Sequence, residues 1–182
     1  TLGKTFVGVT QLPFNASDDD IIKLNKLGVR GIRFNMKRGV SESLSRLDFL
    51  SRRVFELVNW HTELYVDSNS LLELKSTIEK LPLVSIDHLG LSKNGLKHTL
   101  SLIDKGIKIK ASGFGRLDFN PAVAIQTIYS INPDSLMFGT DLPSTRAKRP
   151  FRFSDIDLII NTLGEERAKK VLYQNAYDFY VR

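Results

Sequence analysis

Asp141 closes the apolar run Ser135 to Thr140 (Ser-Leu-Met-Phe-Gly-Thr). A carboxylate at the end of a buried strand is costly to desolvate unless it is paired, bound to a metal or used in chemistry. Other polar side chains stand at comparable places. His88 ends the run Leu83 to Asp87, and a histidine at the C-terminal end of a parallel strand is a candidate for chemistry. Arg33 and Asn35 lie in and just after Val29 to Phe34. Arg33 reads either as a fork for a substrate carboxylate or as an internal salt bridge to Asp67 or Asp87, because a guanidinium inside an apolar run stays charged. Asn35 is placed to hydrogen-bond a substrate or a neighbouring strand. Arg116 follows the run Ile107 to Ala111 through a Ser-Gly turn and is a second candidate anion fork.

Strict alternation sends Asp87 and His88 to opposite faces, which leaves Asp87 as an orienter or as a partner for a basic helix residue. Lys108 and Lys110 share one face of their strand; either one reaches the site, or both snorkel along the strand end. His61 is read as structural, at the rim away from the chemistry, and His98 as a solvated helix residue. The segment Leu142 to Arg152 carries several basic residues, either an anion-attracting loop or a solvated one.

The elements that must position these residues follow from hydrophobic periodicity. Strands are predicted at residues 5–10, 29–34, 63–67, 83–88, 107–111 and 136–140. Between them, apolar residues recur at spacings of three and four, as in Leu44, Leu47, Leu50, Val54, Leu57 and Val58. Ser17 caps the first helix, with Ile21, Ile22, Leu24 and Leu27 as its apolar face and Gly28 as its stop. Ser41 or Ser43 caps the second, and Pro121 opens a later one. The last helices are predicted at residues 155–163 and 165–175. Six alternations of strand and helix imply an α/β fold with a parallel sheet. No strand is followed by a glycine-rich phosphate loop, and polar residues gather at the strand ends, which favours a (β/α)8 TIM barrel over a doubly wound dinucleotide fold. Six βα units make three quarters of such a barrel.

With 182 residues, 42% hydrophobic and 25% charged, the chain has the composition of a globular domain, and residues 1–182 read as a single unit. No run is long enough to span a bilayer, and the N-terminal stretch lacks the layout of a signal peptide. There is no cysteine, which excludes disulfides, thiolate metal sites and cysteine nucleophiles. A cytoplasmic setting is expected. The net charge of +6 suits an anionic substrate. The basic residues are scattered rather than gathered in a tract, which argues against nucleic-acid binding.

Five stretches taken together resemble the amidohydrolase-related family of the metal-dependent hydrolase superfamily. They are Gly31 to Asn35 (Gly-Ile-Arg-Phe-Asn), Asp87 to Gly90 (Asp-His-Leu-Gly), Lys110 to Gly113 (Lys-Ala-Ser-Gly) with Arg116, Phe138 to Pro143 (Phe-Gly-Thr-Asp-Leu-Pro), and Asn175 to Tyr180 (Asn-Ala-Tyr-Asp-Phe-Tyr). The nearer branch is the one of the pyrone dicarboxylate lactonases. The resemblance implies a distorted TIM barrel that hydrolyses a lactone, ester or amide of a small anionic substrate. Asp141 would activate water or help to hold a metal, and His88 would polarise the carbonyl. Arg33 and Arg116 would grip substrate carboxylates, with Arg38 a weaker match.

The family's His-x-His pair at the end of its first strand has no counterpart here. On this alignment Thr5 to Thr10 is the third strand, and the first two are missing. A zinc is implied where such a pair exists and no metal in the lactonase branch; His88 and Asp141 alone are too few ligands for a usual catalytic zinc. Two alternatives stand beside the hydrolase: a non-oxidative decarboxylase of the same superfamily, and an inactive barrel remnant that acts as a binding protein. Six strands in isolation would expose two sheet edges, so a chain of this length is expected to be unstable alone or to form a homo-oligomer.

Overall fold

A computed structural model describes residues 6–37 and 44–181. Its frame is one six-stranded sheet in the order β1 to β6, comprising β1 (Gly8–Thr10), β2 (Val29–Asn35), β3 (His61–Tyr65), β4 (Val84–Ile86), β5 (Lys108–Ser112) and β6 (Leu136–Gly139). Every neighbouring pair is parallel. Each strand therefore lies beside the next one in sequence, and the order never reverses. A doubly wound sheet reverses its order at a switch point; this one winds in a single direction, as six successive strands of a (β/α)8 barrel do. Among the described residues, β1 and β6 each pair on one side only. No helix among them is long and apolar enough to cross a membrane.

The helices between the strands are α1 (Asp18–Lys26), α2 (Leu44–Val58), α3 (Leu71–Ile78), α4 (Leu96–Ile103) and α5 (Pro121–Ile131). Three more follow β6: α6 (Ser154–Leu163), α7 (Glu165–Lys169) and α8 (Asn175–Tyr180). Local chemistry sets their ends. The Ser17 hydroxyl accepts from the amide of Asp20, and three aspartates fill the first turn of α1. Asn120 caps α5 in the same way, with Pro121 in the first turn.

Along the strands, side chains alternate between two surfaces. Ile32, Phe34, Leu64, Ile86 and Ile109 face the helices and are buried in the core with Leu47, Leu50, Val54, Leu71 and Ile128. Each such side chain contributes roughly 1.5–3 kcal/mol relative to leaving it in water. The other surface is polar for a core: Arg33 and Asn35, then His61, Glu63 and Tyr65, then Ser85 and Asp87, then Lys108, Lys110 and Ser112. Register aligns Arg33 with Glu63 and Asn35 with Tyr65.

Several sequence expectations shift. Leu27 is the C-cap of α1 and 75% exposed rather than part of its buried face, because the chain leaves the helix there toward Gly28. The third strand starts at His61 rather than Glu63, and the fourth covers Val84–Ile86 alone. Beyond Lys169 the chain continues through a wide helical turn, Lys170–Gln174, into α8. Asn175 accounts for the path of this segment: its Nδ2 donates to the carbonyls of Pro133 and Leu136 at 2.7 and 2.8 Å, pinning α8 to the start of β6. The predicted caps Ser41 and Ser43, and Arg38, lie outside the described residues.

Candidate active site

The C-terminal strand ends and the loop after β6 enclose a cavity of about 330 Å³. Its wall runs in strand order from Arg33 and Asn35 through Tyr65, His88 and Arg116 to Asp141, Thr145 and Arg146. All five candidate residues read from the sequence, Asp141, His88, Arg33, Arg116 and Asn35, thus converge on one space.

Asp141 stands beyond the end of β6 with a φ of 61°. That left-handed conformation is uncommon for a residue with a side chain. It is held by Ser144, whose amide and hydroxyl both donate to the Asp141 carbonyl at 2.6 and 2.9 Å. Arg116 Nε donates to Asp141 Oδ2 at 2.6 Å, and Arg116 Nη2 donates to the Thr145 carbonyl at 3.0 Å. The guanidinium predicted to fork a substrate carboxylate therefore grips the chain's own aspartate. It fixes that carboxylate and leaves Oδ1 turned toward His88.

His88 Nε2 lies 3.7 Å from Asp141 Oδ1, beyond hydrogen-bond range. Its Nδ1 is 3.0 Å from the Ser112 hydroxyl, and its ring meets Tyr65 edge to face at 5.5 Å. A Cβ on Gly113 would come within 2.6 Å of Nδ1, so the bare glycine, at φ 58°, is what admits the ring. The expectation that Asp87 and His88 face opposite ways fails. The strand ends at Ile86, and His88 takes a φ of 53°, so the alternation is interrupted and both side chains turn toward the site. Burial pushes the His88 imidazole below its ordinary value. Asp87 and Asp141 pull the other way without cancelling the effect. The balance favours the neutral ring.

Below the cavity floor, four charges close a ring. Arg33 Nη1 meets Glu63 Oε2 at 3.3 Å and its Nη2 meets Asp87 Oδ2 at 2.5 Å. Lys110 Nζ meets the remaining oxygens, Glu63 Oε1 at 2.5 Å and Asp87 Oδ1 at 3.3 Å. Of the two readings of Arg33, the internal salt bridge to Asp87 is present. Asp67 instead takes Lys37 and the Ser92 hydroxyl. Arg33 nevertheless stays on the cavity wall, over the Tyr65 ring.

Burial by itself would raise Glu63, but Lys110 and His61 outweigh it and hold the carboxyl well below the usual range. Burial would likewise lower Lys110, and Glu63 and Asp87 keep it charged. Tyr180 donates to Glu63 Oε1 at 2.7 Å, and His61 Nε2 sits 3.3 Å from the same oxygen. Of the two strand-five lysines, Lys110 thus goes inward, while Lys108 donates to the Asp134 carbonyl at 2.9 Å near the opposite end of the strand. His61 is fully buried on the inner surface and His98 is half-buried on α4.

Tyr65, Ser112, Glu63 and Arg146 were not singled out from the sequence as site residues. Tyr65 was within reach of the same strand-end logic, two residues after Glu63 on the same face. Arg146 falls in the basic segment Leu142 to Arg152, read as either anion-attracting or solvated, and Ser112 and Glu63 depend on which strands become neighbours.

A catalytic metal is characteristic of many barrels of this kind. Among the described residues, no group of three His, Cys, Asp or Glu side chains converges with metal-binding geometry. His88 and Asp141 are two donors, and a guanidinium occupies one oxygen of the second. The described residues therefore do not by themselves compose a catalytic metal site.

A singly wound parallel sheet with its polar cavity at the C-terminal strand ends defines the class of the barrel enzymes. Within that class the chain belongs to the amidohydrolase family, whose model matches residues 3–182. No curated protein matches it significantly. Among solved structures, a probable 2-pyrone-4,6-dicarboxylic acid hydrolase from Acinetobacter baumannii, with citric acid bound, is 22% identical with a TM-score of 0.79; the match covers 97% of this chain and 73% of that one. A protein of the same provisional designation from Pseudomonas putida gives 22% and 0.81, over 96% of this chain and 71% of its own. An apo structure from Agrobacterium tumefaciens gives 21% and 0.80, over 100% and 72%. At these identities the likeness is one of fold.

Proposed function

We propose that this chain carries the site of a hydrolase that opens a lactone, ester or amide of a small carboxylate-bearing substrate, with Asp141 activating water. The observation that carries the reading is the facing pair His88 Nε2 and Asp141 Oδ1, 3.7 Å apart at the cavity wall. A water oxygen or a substrate oxygen can sit about 2.8 Å from each at the apex of that triangle. Asp141, immobilised by Arg116, takes a proton from the water as it attacks the carbonyl carbon.

Ser112 Oγ, 3.0 Å from Nδ1, can set the role of His88. With the hydroxyl donating to Nδ1, the proton of the neutral ring lies on Nε2 and points into the cavity. There it donates to the carbonyl oxygen as negative charge develops on it. The proton held by Asp141 then passes to the leaving oxygen or nitrogen. Proteins named for a pyrone dicarboxylate substrate, one of them holding citric acid, share this fold, and that supports a carboxylate-bearing substrate.

The test is turnover of lactones of cyclic dicarboxylic acids by the wild type and by Asp141→Asn. Loss of the base is expected to lower kcat by about 10²–10⁴, with the circular dichroism spectrum unchanged. Equal turnover in the variant sinks the assignment.

A further inference from the structure

We infer that Arg146, rather than Arg33 or Arg116, is the residue that selects an anionic group on the ligand of this cavity. The inference rests on the reading of the cavity as the substrate site and names what sets the substrate's charge there. It begins from how the positive charges are compensated. Arg33 and Lys110 alternate with Glu63 and Asp87 in a closed ring of two cations and two anions. Arg116 is neutralised by Asp141. An incoming carboxylate gains little from charges already balanced at contact distance, since attraction and repulsion nearly cancel. Arg146 differs: it lines the cavity and, among the described residues, has neither an ion-pair nor a hydrogen-bond partner for its side chain.

Its backbone is nonetheless fixed. The Ser144 amide and hydroxyl bind the Asp141 carbonyl, Ala147 N donates to Ser144 O, and Lys148 N donates to Gly115 O. Arg116 Nη2 holds the carbonyl of Thr145, the residue before it. The loop that presents Arg146 is thus tied to the same aspartate and arginine that form the reactive wall. Arg146 and Asp141, five residues apart in the chain, line the same cavity. Arg33 lies on β2, four strands away from β6, at the far end of the wall. A planar guanidinium with free donors suits a carboxylate in a two-point contact.

Citrate is the probe, titrated calorimetrically into wild type, Arg146→Gln, Arg146→Lys and Lys148→Gln. Lys148 is an exposed cation on the same loop and does not line the cavity. Arg146→Gln is expected to weaken citrate roughly tenfold, Arg146→Lys by less, and Lys148→Gln by under about twofold, since an exposed charge outside the contact acts only through a screened field. The inference is overturned if wild type binds no citrate, if Arg146→Gln binds it unchanged, or if Lys148→Gln loses as much as Arg146→Gln. Lactone turnover separates the two readings. Arg146-dependent citrate binding without hydrolysis keeps this inference and removes the hydrolase. Hydrolysis with an unchanged KM in Arg146→Gln does the reverse.

Discussion

His88 shows how much one side chain owes to its surroundings. Its ring is buried between Tyr65 and the wall formed by Ser112 and Gly113, and burial favours the neutral form. The proposed chemistry needs that neutral ring to donate a hydrogen bond from Nε2. The acid limb of kcat/KM is therefore expected to fall at a pH below the ordinary imidazole value of about 6.5. Ser112→Ala removes the hydroxyl beside Nδ1. It is expected to lower kcat about tenfold while KM holds, with Ser112→Thr restoring most of the loss, because the Nε2 hydrogen bond to the developing oxyanion needs the proton on that nitrogen. A pH–rate profile of both variants checks this. An acid limb at or above the ordinary value in wild type would contradict the neutral-ring assignment.

Among the elements, β2 and β3 fit closely. The register sets Gly31 against His61, and a Cβ on Gly31 would come within 2.4 Å of the His61 ring. That ring cannot retreat easily, because Phe179 and Tyr180 pack on it at 4.7 and 4.9 Å. Gly31→Ala is expected to destabilise the protein by roughly 1–3 kcal/mol, the usual cost of overpacking, read as a lower urea midpoint at unchanged m-value. The same contact explains the C-terminal stretch Asn175 to Tyr180. Asn175 ties α8 to β6, and Tyr180 brings its hydroxyl to Glu63 across most of the chain. In the sequence this stretch carried only a resemblance; in the fold it packs against the buried charges of Glu63 and Lys110.

At the scale of the molecule, the ring of Arg33, Glu63, Lys110 and Asp87 links β2, β3, β5 and the residue just beyond β4 through side chains. Removing one member of a buried ionic group leaves an uncompensated charge, which costs about 3–5 kcal/mol. Lys110→Met is expected to lose that much in denaturant unfolding, and Lys110→Met combined with Glu63→Gln less than the sum of the two single changes. Simple additivity would show that the four charges do not act as a unit.

The pH dependence of stability follows the same residues. His88 is depressed in the fold, so the unfolded chain takes up a proton that the folded one refuses, and stability falls as pH drops below about 6.5. Glu63 is depressed too. Its contribution is complete above about 4.3 and is lost as pH falls from there toward its folded value. Unfolding midpoints measured across that range are expected to decline toward acid.

The sequence by itself determined the succession of strands and helices and the polar strand ends, because periodicity and desolvation cost are local properties of the chain. Asp141, His88, Arg33, Arg116 and Asn35 were legible for that reason, and the match of residues 3–182 to the amidohydrolases agrees with the resemblance read from five short stretches. Which charge meets which was decided only by the tertiary structure. Arg116 lies 25 residues from Asp141 and Lys110 lies 47 from Glu63; strand order and register bring them together, and spacing along the chain does not record either. Those pairings gave Arg33 the internal salt bridge that was one of its two readings and set Arg116, read as an anion fork, on Asp141.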